Sequence, residues 1–421
     1  MTEKTAAFLR STGMAAECIE LEPALAEFGR QMRAGLAGRD SSLMMLPSFI
    51  SLSAAPRSRR VIALDAGGTN LRAAVIAFDS DGRPTVEYQK KQPMPGSYGE
   101  MNGEEFFAAI ADTLEPIADA SDTIGFCFSF VMDVLPDRDA RIVAFSKELR
   151  VTGADGAVIG QALNQELSRR GHAPKRFTLL NDTVAALLSG AAGPEDYDGH
   201  IGFILGTGTN CCYTERGERI EKLPGTTGSM VINMESGIYT GFVRGDFDRE
   251  LDDASEIPGD HLAEKMVSGA YLGDLVFRTV RGAASAGLFS EGFAARLDER
   301  KSFETAELGA FAEGAETALT AGNETDAETL QAIVTDAYDR AARILAVMFT
   351  AIMDHTDTGR DASRPCCITA EGSTYHKSPL LQKRLEHYLQ SWTAAVHGRH
   401  CRIVRCDDAT VIGAAVAAAQ E

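Results

Sequence analysis

The chain has 421 residues, 44% hydrophobic and 24% charged, with a formal net charge of −19. That length can bury two substantial cores. The acidic balance argues against a nucleic-acid binder, whose phosphates reward clustered Lys and Arg, and no apolar run reaches the length of a membrane span. Leu21, Leu25, Phe28, Met32 and Leu36 recur at helical spacing and predict an opening amphipathic helix. A loop through MLPSFIS follows. Val61 to Phe78 reads as two β-rich runs around a glycine turn. A helix is expected from Glu104 to Ala118, then a buried strand in SDTIGFCFSF. Between Thr178 and Gly190 a short strand runs into Asn181-Asp182 and on into a helix. His200 to Glu215 is again strand, glycine turn, strand. Helical patterns cover Asp260 to Thr279 and Ala327 to His355. A strand enters a glycine turn between Pro365 and Thr374, and TVIGAAVAAAQ reads as a small-residue closing helix.

The N-terminal stretch mixes charges of both signs and reads as no signal peptide. The eight cysteines form no CxxC pair and no zinc-spaced cluster, so they read as reduced, mostly buried thiols of a cytoplasmic protein. Aligned without gaps, Val61–Asn70 falls on Ile201–Asn210, and Gly68-Thr69-Asn70 lands on Gly208-Thr209-Asn210. The match fits two related halves, each offering a hairpin turn to a shared cleft. Glycine lets backbone N–H groups approach a phosphate with no Cβ in the way, and Thr adds a hydroxyl donor. Neither turn matches GxxxxGK[ST], and neither matches GxGxxG ahead of a helix, which excludes a P-loop and a dinucleotide fold. Strand, not helix, follows each turn, as in the phosphate-binding hairpins of the actin-like ATPase and sugar kinase architecture.

Asp65 stands at the end of the first strand, where a carboxylate can hold Mg²⁺ through water beside the β- and γ-phosphates; a turn-forming Asp is the plainer alternative. The second copy has Leu205 there. Asn181-Asp182 is a helix cap on the plain reading. On the functional reading Asp182 is a general base that takes a proton from a sugar hydroxyl. Ser129, Ser146, Lys147, Asn181, Asp182, Asn210, Glu235 and Glu264 offer the directional donors and acceptors a polyol needs. Lys147 by itself reads as a solvated charge, and Glu264 as compensation of a helix dipole.

Taken in order, these stretches resemble the hexokinase family of the eukaryotic type. The resemblance runs from about residue 20 to the C-terminus. It is carried by LDAGGTNLR at 64–72, GFCFSF at 125–130, FSKELR at 145–150, LNDTVAALLSG at 180–190 and ILGTGTNCCYTE at 204–215. INMESG at 232–237, EKMVSGAYLGDLV at 264–276, FET at 303–305 and AEGSTYHKSP at 370–379 complete it. It implies an α/β, ribonuclease H-like fold of the two-lobed actin-like ATPase kind with a deep interlobe cleft. The small lobe would be 56–205 plus 405–421, and the large lobe 1–55 plus 206–404. The implied reaction is ATP-dependent transfer of the γ-phosphoryl group to the 6-hydroxyl of a hexose, glucose first among them.

Position by position, the resemblance makes Asp182 the general base, with Lys147 favouring the charge of the transfer state. Ser129, Ser146, Lys147, Asn181, Asn210, Glu235 and Glu264 match sugar ligands. Asp65, Gly67, Gly68, Thr69, Asn70 and Arg72 match the first phosphate loop, and Gly206, Thr207, Gly208 and Thr209 the second. Gly372, Ser373 and Thr374 match the adenosine region. The expected partners are a hexose and MgATP, without nucleic acid or membrane, for a monomer or homodimer. The chain departs from the family pattern at Phe145-Ser146-Lys147-Glu148, where Trp-Thr-Lys-Gly is common. It also departs at Val131 for Pro, Glu371 for Asp, and Thr410-Val411-Ile412-Gly413-Ala414 for Ser-Gly-x-Gly-Ala. A sugar sensor without turnover, a kinase for a hexose derivative, and a partner-coupled ATPase are the competing readings.

Overall fold

The computed structural model describes every residue except 53–55, 146–148, 194, 316, 318, 320–322 and 421. In chain order the strands of its two main sheets are β1 (Leu46–Pro47), β2 (Arg59–Ala66), β3 (Asn70–Phe78), β4 (Pro84–Pro93), β5 (Thr123–Phe128), β6 (Arg176–Leu180), β7 (Gly199–Leu205), β8 (Thr209–Arg216), β9 (Ser229–Asn233), β10 (Cys366–Glu371) and β11 (Cys401–Val404). The helices that position the site are α1 (Leu21–Leu36), α2 (Gly103–Leu114), α3 (Ile159–Arg169), α4 (Asp182–Ala191), α5 (Leu262–Val267), α6 (Leu272–Ser285), α7 (Glu324–Thr356), α8 (Ser373–His376) and α9 (Ala409–Ala419).

The five-stranded sheet has the order β6-β5-β2-β3-β4, and the six-stranded sheet the order β1-β9-β8-β7-β10-β11. Each is built the same way. An antiparallel hairpin (β2–β3 or β7–β8) continues into an antiparallel third strand (β4 or β9). Two parallel strands add on the other side of the first (β5 and β6, or β10 and β11). The short internal match between the two hairpins is the sequence trace of this repeated topology.

Period-two alternation explains why β2 is apolar on both faces. Ile62, Leu64 and Ala66 join an outer core with α2 and α3, while Val61 and Ala63 join a central core. That central core also takes Val184, Leu187 and Leu188 of α4, Val411 and Ala414 of α9, and Cys212 and Val231 from the six-stranded sheet. A third core lies across the other face of the six-stranded sheet, where Phe28 of α1, Phe203 of β7 and Phe349 of α7 are fully buried.

Helices α4 and α9 are thus wedged between the sheets, and glycines set the spacing. A Cβ on Gly125 of β5 would run into the Ala414 carbonyl of α9. One on Gly413 of α9 would run into the Ala185 carbonyl of α4, and one on Gly202 of β7 into the Thr183 carbonyl of α4. The small-residue composition of the last helix reflects this confinement.

Several expectations need correction. Residues 199–205, assigned to the small lobe with a boundary at 205, form β7 of the six-stranded sheet, because they pair with β8 and β10. The segment Asp260–Thr279 is not one helix. It breaks between α5 and α6, where the Gly269 and Ala270 N–H groups donate to the Gly206 and Thr207 carbonyls instead. Within the MLPSFIS loop, Leu46–Pro47 pairs antiparallel with β9. All eight cysteines are free, five of them buried. No helix among the described residues is long and apolar enough to cross a membrane.

Gly413→Val should lower the thermal unfolding midpoint, read by calorimetry. Overpacking typically costs about 1–3 kcal/mol, and here the obstacle is helix backbone, which cannot rotate away.

Candidate active site

Open α/β sheets bind ligands beyond the carboxyl ends of their parallel strands. Asp65 lies at that end of β2, Ser129 follows β5, Asn181 follows β6, Gly206 follows β7, and Glu371 ends β10.

In the first hairpin Ala66 pairs with Leu71, leaving Gly67–Asn70 as the turn. The Gly67 N–H donates to the Asn70 carbonyl at 3.0 Å, and Thr69 is exposed. The second hairpin is tighter. Leu205 pairs with Thr209, leaving Gly206, Thr207 and Gly208, with the Gly206 N–H donating to the Gly208 carbonyl at 2.9 Å. Ser129 is exposed and adjoins the first turn through its N–H, 3.0 Å from the Ala66 carbonyl.

Asp65 is buried and held by its neighbours. Its Oδ2 accepts from Arg72 Nε at 2.8 Å and from the Thr410 hydroxyl at 3.1 Å. Arg72 also donates to Asp408 (3.0 Å) and to Thr410 (2.7 Å) at the start of α9. Arg72, matched to the phosphate loop, therefore has its guanidinium engaged in joining β2 to the start of α9. The buried Cys127 thiol, whose pKa burial raises well above the usual range, completes the surroundings of Asp65.

Asn181 does cap α4, accepting from the Val184 N–H at 2.9 Å. Asp182 is the first helical residue and leaves the capping to Asn181. Its Oδ1 accepts the neighbouring Thr183 hydroxyl at 3.2 Å. Thr183 in turn offers its carbonyl to the Cys212 thiol at 3.1 Å, which ties the start of α4 to β8 two residues after Asn210.

Around Asn210 the hydrogen bonds form a directed chain. Asn210 Nδ2 donates to Asn233 Oδ1 at 2.8 Å, and Asn233 Nδ2 donates to Glu235 Oε1 at 2.6 Å. Asn210 Oδ1 accepts the Cys211 and Ser236 N–H groups at 2.7 and 3.1 Å. Glu235 itself is held at φ 53°, in the left-handed region. Glu264 Oε2 accepts the Thr209 N–H at 2.9 Å and leaves no space for a side chain at Gly208, whose added Cβ would lie 2.5 Å away. The sequence reading missed Asn233, although it precedes Glu235 by two residues on the same strand end. It also missed His261, one helical turn before Glu264. Ser146 and Lys147 lie outside the described residues.

The electrostatics follow from this crowding. Burial raises the Asp182 pKa; its bonds to Thr183 oppose the rise, and the charge on Asp65 adds to it. Burial likewise raises Glu235; the Asn233 bond and His261 oppose the shift, while Asp182 and Glu264 reinforce it. Burial raises Glu264 against the opposing Thr209 bond and His261. Among the described residues no Lys or Arg forms an ion pair with Asp182, Glu235 or Glu264. Three carboxylates with no ion pair among the described residues, together with two amides, make a site that a neutral ligand rich in hydroxyl donors can satisfy. Glu371 is different: burial pushes its pKa up to about 7 despite Arg405 and Arg72, and its Oε1 has no partner.

No group of three or more His, Cys, Asp or Glu suited to a metal occurs among the described residues. The residues present fit Mg²⁺ in its usual manner, carried by substrate phosphates and water with one or two carboxylates. Asp65, at the end of β2 beside the first turn, would be the carboxylate to hold it.

Two family models, both described as hexokinase, match residues 200–420 and 13–192. The chain belongs to the hexokinase family. It is 29% identical to hexokinase-1 of Rattus norvegicus over 396 residues, which is 87% of this chain and 43% of that protein. It is 28% identical to hexokinase-2 of Homo sapiens over 422 residues, or 93% and 45% of the two chains. The chain thus spans less than half the length of these relatives. A hexokinase from Schistosoma mansoni complexed with glucose superposes at TM-score 0.78 and 25% identity, covering 100% of this chain and 98% of the other. A second hexokinase structure superposes at 0.81 with 21% identity, covering 99% of both, and supports the fold. Hexokinase structures at these scores establish the two-sheet α/β architecture as the actin-like ATPase fold.

Because Glu235 has a folded pKa above its ordinary 4.5, its contribution to stability is complete below that value and lost as pH rises through the folded pKa. Glu235→Gln should therefore raise the unfolding midpoint at pH 8, by the equivalent of about 0.5–2 kcal/mol. The advantage should vanish near pH 4, as a pair of calorimetric scans will read.

Proposed function

We propose that the chain is an ATP-dependent hexokinase that transfers the γ-phosphoryl group to the 6-hydroxyl of a hexose, glucose first. One observation carries the reading: Asp182, Glu235 and Glu264, with no ion-pair partner among the described residues, gather with Asn210 beside a glycine hairpin turn. A polyol satisfies the carboxylates, and the turn beside them offers backbone donors to phosphate. The glucose bound in the Schistosoma hexokinase supports the choice of sugar.

Glu235 and Glu264 accept sugar hydroxyls, and the Asn210–Asn233 chain orients Glu235 so that its second oxygen faces the ligand. Asp182 accepts the proton of the 6-hydroxyl as that oxygen attacks the γ-phosphorus, and the bond from that phosphorus to the β,γ-bridging oxygen breaks to release ADP. Its pKa, raised by burial, makes it a better base than a solvated Asp. The two hairpin turns hold the triphosphate, and Mg²⁺ with Asp65 would supply charge neutralisation at the β- and γ-phosphates. Lys147 adds positive charge to the transfer state on the strength of the sequence resemblance. Each sheet frames one lobe, and closure of the lobes excludes water that would otherwise take the phosphoryl group. The protein works in the cytoplasm, where both substrates are found.

Glucose-6-phosphate formation from glucose and MgATP, followed by a coupled dehydrogenase assay, tests the reading; folded protein without turnover on glucose, mannose, fructose or glucosamine would end it. Asp182→Ala should cut kcat on the order of 10²–10⁴-fold, with a smaller effect on sugar binding. Wild-type kcat should fall on acidification through a pKa above the ordinary 3.8 of Asp, and a pH-rate profile reads that limb directly.

A further inference from the structure

The tip of the second hairpin, Gly206-Thr207-Gly208, is braced from one side. The Gly206 carbonyl accepts two donors, the Gly269 N–H at 2.9 Å and the Thr374 hydroxyl at 2.8 Å. The Thr207 carbonyl accepts the Ala270 N–H at 3.2 Å. A trans peptide is planar, with its N–H opposite its C=O. Pinning the Gly206 and Thr207 carbonyls toward the 268–271 turn therefore aims the Thr207 and Gly208 N–H groups the other way. Among the described residues neither N–H has a hydrogen-bond acceptor in the protein, and Thr207 is exposed.

The brace is itself fixed. The Thr305 hydroxyl donates to the Gly269 carbonyl at 2.8 Å and accepts the Gly273 N–H at 3.2 Å. A Cβ on Gly269 would collide with the Thr374 hydroxyl and lie 2.8 Å from the Gly206 oxygen. Gly372, at φ +106°, lets the chain pass the Leu205 carbonyl with no side chain between them. Thr374, the second residue of α8, thus reaches its partner across a tightly packed junction of three segments.

From this geometry we infer that Thr374 is a positioning residue for the second phosphate turn: its hydroxyl locks the Gly206–Thr207 peptide and so preorganises the Thr207 N–H for the triphosphate, beside the Gly208 N–H that the Ala270 bond aims. The resemblance assigns Thr374 only to the adenosine region; its hydroxyl is spent on the loop. The inference rests on the reading of this turn as a phosphate holder. Preorganised donors cost nothing to orient when the anion arrives, whereas a turn that loses one of its three anchoring hydrogen bonds must in part be ordered by the ligand.

The test is Thr374→Val, which keeps the shape and removes the hydroxyl, with Thr374→Ser as the rescue. For Val the KM for MgATP should rise about three- to ten-fold, the worth of one hydrogen bond. The KM for hexose should stay within about two-fold, and Ser should restore the wild-type value. Hydrogen–deuterium exchange of the nucleotide-free protein gives a second readout: the segment 204–210 should exchange faster in the Val variant and normally in the Ser variant. Unchanged exchange together with an unchanged KM for MgATP overturns the inference, as does equal damage by Val and Ser. Loosened exchange with an unaltered nucleotide KM overturns the phosphate role. Wild-type protein that lacks turnover while its Val variant shows the faster exchange would instead fault the kinase reading and leave the brace standing.

Discussion

Two helices share a space with no room for side chains at their contacts, and the site depends on that constraint. Gly125, Gly413 and Gly202 each face a backbone carbonyl so closely that a Cβ cannot be fitted. The consequence is a stack of β5, α9, α4 and β7 in which one sheet is registered against the other through rigid helices. Asp182 begins α4, and Thr410 lies in the first turn of α9. The same stack that builds the central core therefore positions Asp182, the base proposed here, and brings Thr410 into contact with Asp65.

Stability and chemistry oppose each other at the carboxylates. Burial raises Asp182, Glu235 and Glu264; the Asp65 charge adds to the rise for Asp182, and Asp182 and Glu264 add to that for Glu235. A fold selected for stability alone would neutralise such a group. Glu215 shows the contrast: it is fully buried, yet His355, the Tyr213 hydroxyl and the Arg216 N–H satisfy it, and its pKa is lowered. Carboxylates whose pKa burial raises at the strand ends, against one whose network lowers it, separate the candidate site from a structural network.

Hydrogen bonds from neighbouring groups fix the residues of the proposed site. Asn233 aims Glu235, Arg72 and Thr410 hold Asp65, and the 268–271 turn holds the second hairpin tip. Each uses a hydrogen bond to remove a freedom that a ligand would otherwise have to remove on binding.

The sequence by itself determined the two hairpins, the strand into Asn181-Asp182, and the last helix, because each is a local pattern of alternation, turn chemistry or small residues. It also determined the family, through an ordered series of motifs, and most of the ligand candidates with it. What tertiary structure decided are relations between distant segments. The place of residues 199–205 is settled by pairing with β10, more than 160 residues along the chain. The break between α5 and α6 arises because Gly269 and Ala270 give their N–H groups to another hairpin, which no helical periodicity can register. The work of Arg72 and Thr374 was invisible for the same reason: a guanidinium or a hydroxyl has no partner in the sequence, and only the packed chain supplies one.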